Sequence, residues 1–211
     1  MTLEQALETC GIIAILRGVA PDEVISVTGA LFDAGIRIVE VPLNSPQPFT
    51  SIGMLAKSFG DKMVVGAGTV LSEQDVNLLK EHGGQISVSP DCNPATIARA
   101  IAQDLEPLPG VFTPTEAFTA IRAGAKHLKL FPAEAASPVT IKAWKAVLPK
   151  HVHIHAVGGV TPDNMKDWIS AGASGFGIGT ALYKPGMPLS KISESAHILV
   201  AAWKRAKGQL Q

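Results

Sequence analysis

Short apolar runs alternate with amphipathic stretches along this chain. The apolar runs are Ile12 to Gly18, Ile38 to Leu43, Met63 to Val70, Ile86 to Ser89, Glu106 to Phe112, His127 to Glu134, His153 to Val157 and Gly175 to Gly179. Short continuous apolar runs bounded by turn residues predict strands buried on both faces. In the sixth run Pro132 ends the ladder, and in the fifth Pro107 and Pro109 interrupt it. The stretches between predict helices: Pro21 to Ala34, Pro46 to Phe59, Ser72 to His82, Pro94 to Gln103, Thr113 to Gly124, one opened by Ser137-Pro138, one from Thr161 to Gly172, and Leu189 to Lys207. Proline in the first turn, acidic residues such as Asp22, Glu23, Glu73 and Asp75 beside it, and glycines such as Gly35 and Gly60 at the far end are the expected start and stop signals.

Eight such units argue for parallel strands joined by crossover helices. A closed barrel and an open doubly wound sheet both fit that count. The units repeat evenly, with no break where a sheet would reverse direction. The first turn, Arg17-Gly18-Val19-Ala20, also lacks a dinucleotide fingerprint. The expected fold is therefore α/β, a single (β/α)8 TIM barrel spanning residues 1–211, with a helix at about Leu3 to Cys10 capping its bottom. Chemistry on such a barrel sits at the carboxyl ends of the strands.

Composition narrows the function classes. Of 211 residues, 46% are hydrophobic and 17% charged, which supplies a large core, and the net charge of zero argues against a nucleic-acid surface. No apolar run approaches a membrane span. The N-terminus lacks the blocks of a signal peptide, and Cys10 and Cys92 are too few for a disulfide framework, so a soluble cytoplasmic protein is expected.

Three charges stand out on the apolar strands: Arg17 at the end of the first, Glu40 inside the second and Lys129 inside the sixth. Alternation puts His127, Lys129 and Phe131 on one face and Leu128 and Leu130 on the other. A lysine held among apolar walls tends to lose its proton, and a neutral amine can form an imine with a carbonyl compound. Arginine, glutamate and lysine together suit an anion holder, a proton-transfer group and a nucleophile. A buried Glu40–Lys129 ion pair that only staples strands fits the same positions. Thr69 ends the third run. Gly158-Gly159 and Gly177-Ile178-Gly179-Thr180 follow strands seven and eight, where a barrel builds a phosphate cradle from backbone N–H groups. His151, His153 and His155 alternate along strand seven and would share one face; zinc binding and simple packing are both open to them. Trp144 and Trp168 read as packing residues, and Cys92, near the end of strand four, is given no role.

At these positions the chain resembles the class I aldolases that split 2-keto-3-deoxy-6-phospho sugar acids, the KHG/KDPG family. The matching segments are Ala14 to Gly18, Val39 to Pro46, Gly66 to Val70, Lys129 to Glu134 and Ala156 to Val160, so the likeness spans nearly the whole chain. The resemblance implies Lys129 as the Schiff-base lysine and Glu40 as an acid/base working through a water. Arg17 and Thr69 would hold the pyruvyl end, and Gly158, Gly159, Gly179 and Thr180 the phosphate. It implies no metal or organic cofactor and a homotrimer. Its small-molecule partners would be a phosphorylated keto-deoxy sugar acid, pyruvate and glyceraldehyde 3-phosphate. Members acting on the gluconate epimer carry threonine before the paired glycines and arginine after the strand-two glutamate. Val157 and Asn44 stand there in this chain and look like the branch acting on the galactonate epimer. Valine cannot hydrogen-bond a sugar hydroxyl, so Val157 is a candidate determinant of the preferred epimer. A phosphosugar isomerase or epimerase, and a phosphate-binding barrel without catalysis, are the competing readings.

Overall fold

The structure, a computed structural model, describes residues 1–208. Nine parallel strands form one sheet in the order β5-β4-β3-β2-β1-β9-β8-β7-β6. They are β1 (Ile12–Ile15), β2 (Ile38–Pro42), β3 (Val64–Gly68), β4 (Ile86–Val88), β5 (Glu106–Leu108), β6 (Gly110–Val111), β7 (His127–Leu130), β8 (His153–Val157) and β9 (Gly175–Ile178). β5 and β6 are the two halves of the expected fifth strand, separated at Pro109. β5 pairs with β4 and β6 with β7, and Lys129 N–H donates to Pro109 O at 2.9 Å. The broken strand thus closes the ring, and the barrel reading holds.

Helix α1 (Leu3–Thr9) closes the bottom, and the other helices cover the outside: α2 (Pro21–Ala34), α3 (Pro48–Phe59), α4 (Glu73–Glu81), α5 (Pro94–Ala102), α6 (Pro114–Arg122), α7 (Pro138–Lys145), α8 (Met165–Ser170) and α9 (Leu189–Ala206). Local chemistry sets their ends. Proline occupies the first turn of α2, α3, α5, α6 and α7, where its missing N–H would be unpaired anyway. Ser72 and Thr113 close reciprocal caps with Asp75 and Glu116. Gly35 ends α2 at φ 108°, a left-handed geometry that suits glycine.

Several expected boundaries move. β1 stops at Ile15, leaving Arg17 in the following turn, and β3 stops at Gly68, leaving Thr69 beyond it. α3 starts at Pro48 instead of Pro46, because Ser45 N–H folds back onto Pro42 O at 2.9 Å. α8 starts at Met165, since Asn164 first caps the turn after Thr161.

Two apolar layers result. Val39, Val41, Leu128 and Leu130 point outward into the layer beneath the helices, with Trp144 and Trp168 packed there. Ile13, Ile38, Val64, Ile86, Val88 and Leu108 point inward, and Leu3 and Ala6 of α1 close that inner cluster from below. The alternation that sends leucines and valines outward turns Glu40, Lys129, His155 and Val157 into the barrel interior, where they line one small space.

Candidate active site

The carboxyl ends of the strands surround a cavity of about 570 Å³. Arg17, Thr69, Lys129, Val157, Gly158, Gly159, Gly179 and Thr180 all line it. Below it lies a second space of about 10 Å³, room for roughly one water. Glu40 and Lys129 both face that lower space, so Lys129 stands at the junction of the two.

Lys129 is 6% exposed and Glu40 2%. Burial pushes the Glu40 carboxyl up to about 7, against the opposing pull of Lys129 and Arg17. Burial lowers the Lys129 ammonium from its ordinary value; Glu40 resists this and Arg17 adds to it. Among the described residues the one side-chain ion pair within 4.0 Å is Lys191–Glu194. Glu40 and Lys129 therefore share a hollow without closing into a direct pair, which speaks against a purely structural staple. Glu40 Oε2 is buried without a hydrogen-bond partner. The Lys129 ammonium instead lies 4.6 Å from the centre of the Phe131 ring.

Neighbouring residues shape the site. A methyl group on Gly68 would collide with the Glu40 carboxyl, so the glycine makes room for it. Arg17 Nη1 donates to Asn44 Oδ1 at 2.6 Å, and Gly18 N–H donates to Ser45 Oγ at 2.9 Å. These two bonds tie the loop after β1 to the loop after β2. Thr69 holds φ at 59°, a left-handed conformation that a β-branched residue rarely adopts, at the cavity wall.

The glycine turn after β8 lies at the cavity wall. Gly158 and Gly159 adopt φ of 109° and 67°, and both stand against Glu134, a cavity residue to which the sequence assigned no role. Phe131, Tyr183, Lys184 and Pro185 were missed as wall residues too. Phe131 shares the alternating face of Lys129, and 183–185 follow the glycine turn after the last strand.

The histidine expectation needs correction. His151 lies outside β8 and is exposed, so the three imidazoles do not share a face. His153 and His155 instead stack with His127 of β7 inside the barrel. His127 Nδ1 and His155 Nε2 are 3.1 Å apart and occupy each other. Among the described residues no group of three or more His, Cys, Asp or Glu side chains is arranged to hold a metal. Cys92 turns away, its thiol 3.4 Å from Glu116 O.

The pattern of KDPG and KHG aldolases matches residues 3–193. The chain belongs to that aldolase family. It is 46% identical to the 2-dehydro-3-deoxy-6-phosphogalactonate aldolase of Escherichia coli K12, over 92% of this chain and 95% of that protein. A probable aldolase of the same name from Rhizobium meliloti is 44% identical over 95% and 94%. The KHG/KDPG aldolase of Escherichia coli K12 is 29% identical over 79% and 78%. The native KDPGal structure superposes with a TM-score of 0.92 at 46% identity, covering 93% of this aldolase and 96% of that chain. A 3-hexulose-6-phosphate synthase, at 18% identity and TM-score 0.72 over 91% and 99%, shares the barrel. Among the described residues of this aldolase no helix is long and apolar enough to cross a membrane.

Proposed function

We propose that this aldolase cleaves 2-dehydro-3-deoxy-6-phosphogalactonate to pyruvate and glyceraldehyde 3-phosphate through an imine on Lys129. The observation that carries the proposal is the buried, unpaired placement of Lys129 and Glu40 around one hollow at the cavity floor. The choice of substrate leans on the galactonate-acting relatives and on Val157 at the cavity wall.

The neutral Lys129 amine attacks the C2 ketone, and loss of water leaves a protonated imine. Glu40, ionised, takes the C4 hydroxyl proton, directly or through a water in the lower space. The C3–C4 bond breaks, its electron pair moves into the imine to form an enamine, and glyceraldehyde 3-phosphate departs. Glu40 then returns a proton to C3, and water hydrolyses the imine to free pyruvate and Lys129. The imine is itself the electron sink, so the route calls on no cofactor. Arg17, held by Asn44, and Thr69 bind the pyruvyl carboxylate end, while Gly158, Gly159, Gly179 and Thr180 take the phosphate. A placed carboxyl contributes roughly a hundred- to ten-thousand-fold to such a step.

Borohydride reduction in the presence of pyruvate tests the chemistry: a reduced pyruvate adduct on Lys129 is expected. An isomerase or a non-catalytic barrel would give no adduct. Rates on the galactonate epimer, the gluconate epimer and 4-hydroxy-2-oxoglutarate test the substrate. The likeness to a KHG/KDPG aldolase supports the last two as a second reading. We further propose a single-domain, cytoplasmic homotrimer. Exposed apolar side chains such as Val139 at 71% and Val147 at 61% suit a subunit interface, and the free thiols of Cys10 and Cys92 suit a reducing compartment.

A further inference from the structure

Charge is unevenly supplied around the cavity. The cations on its wall are Arg17, Lys129 and Lys184, and its one carboxylate among the described residues is Glu134. In the proposed reaction the imine consumes Lys129, and the pyruvyl carboxylate occupies Arg17. The turn at Gly158 and Gly159 offers a phosphate backbone N–H groups, which carry only partial charge. Glu134 packs against the same turn: a methyl group on Gly159 would lie 2.9 Å from Glu134 Cβ. A phosphate monoester with about two negative charges thus meets an uncharged cradle beside a carboxylate. Lys184 is the wall cation that remains.

Lys184 stands at the cavity because its neighbours are anchored. After β9 the chain turns back at once, with Leu182 and Tyr183 N–H donating to Gly179 O at 2.8 and 3.0 Å. Tyr183 is 2% exposed, and its hydroxyl donates to Glu23 Oε1, in the first turn of α2, at 2.6 Å. The same oxygen accepts from Ala20 N–H at 3.3 Å, which fixes the glutamate against the start of α2. On the other side, Pro185 packs on Gly18: a methyl group there would lie 2.8 Å from Pro185 Cγ. Both flanks of Lys184 are therefore tied to the β1–α2 connection, the one that carries Arg17. Lys184 itself is exposed.

We propose that Lys184 is the charged contact for the substrate phosphate, a determinant of preference for phosphorylated over unphosphorylated keto-deoxy acids, and that Tyr183 and Glu23 are positioning residues that hold it at the cavity. The inference rests on the aldolase reading above and deepens it.

The test compares kcat/KM of the full chain on the phosphorylated acid and its unphosphorylated counterpart. Lys184→Met is expected to lower the ratio of the two about ten- to a hundredfold, the worth of one charged hydrogen bond. The loss falls on KM, and Lys184→Arg restores most of it. Tyr183→Phe keeps the ring and removes the hydroxyl; it is expected to raise KM for the phosphorylated acid about tenfold while kcat holds. An unchanged ratio in Lys184→Met, or an equal loss on both substrates, overturns the assignment. Inorganic phosphate gives an arm independent of turnover: it is expected to raise Tm less in Lys184→Met than in wild type, and an equal rise also overturns it. Failure of the aldolase reading shows elsewhere, as a wild-type protein that forms no borohydride-reduced pyruvate adduct.

Discussion

Gly68 and Glu40 occupy one pocket of space: a side chain on the glycine would fall on the glutamate's carboxyl group. β2 and β3 pair with Glu40 opposite Gly66 and Pro42 opposite Gly68, so Gly68 lies one pleat above Glu40, towards the cavity. The carboxyl rises along the neighbouring strand into that gap. Gly68→Ala is therefore predicted to displace the carboxyl while leaving Lys129 in place. Turnover should fall about a hundredfold or more, yet borohydride should still trap pyruvate on Lys129. Retention of wild-type kcat would show that the carboxyl has no need of the gap.

Burial holds the Glu40 carboxyl at about 7, and the proposed step needs it ionised. For the free enzyme, kcat/KM should rise with pH through about 7 and level off above it. In Glu40→Gln this limb should vanish, with turnover strongly reduced and imine formation still detectable by trapping. Stability carries the opposite sign. A carboxyl raised from 4.5 to about 7 keeps its proton in the folded chain after the unfolded chain has lost it. The folded state is therefore favoured below 4.5 and loses about 3 kcal/mol of that advantage as pH rises to about 7. Urea titrations at several pH values should show Glu40→Gln without that loss.

The stacked histidines at the barrel floor supply an acid-sensitive element. Burial lowers all three: His127 to about 4, His155 well below its ordinary 6.5, and His153 less strongly. Between pH 6.5 and about 4 the unfolded chain takes up protons that the folded chain refuses, so stability should fall as pH drops through that window. Removing both members of the His127–His155 hydrogen bond, as His127→Leu with His155→Leu, leaves neither ring orphaned. The double variant should lose less stability between pH 7 and pH 5, read by urea midpoints, than the parent does. Equal losses in the two would place the acid sensitivity elsewhere.

Val157 is 7% exposed and lines the cavity immediately before the glycine turn. Val157→Thr preserves the shape and adds a hydroxyl. It should shift the ratio of kcat/KM for the gluconate epimer over the galactonate epimer upward by about tenfold or more. An unchanged ratio would mean that epimer choice is made at another wall of the cavity.

Much of the architecture was legible before any coordinates, because periodicity along a strand states which residues share a face. The alternation around Lys129 separated an inward lysine from outward leucines, and proline and glycine marked the helices to within a few residues. Pro109 announced a weakened fifth strand. That its two halves would pair with different neighbours and close the barrel depended on the ladder on either side.

What chain order leaves undecided is which inward residues meet, since that depends on register and stagger between strands far apart in sequence. Glu40 finds its gap at Gly68 only through the pairing of β2 with β3, and His127 finds His155 only through β7 and β8. Lys184 stands at the cavity only because Tyr183 reaches Glu23, 160 positions away. The sequence by itself determined the strand faces, the helix ends and the residue types able to carry the chemistry, all local properties. The tertiary structure decided which of them share a hollow and how deeply each is buried, and burial in turn moved the proton affinities of Lys129 and Glu40.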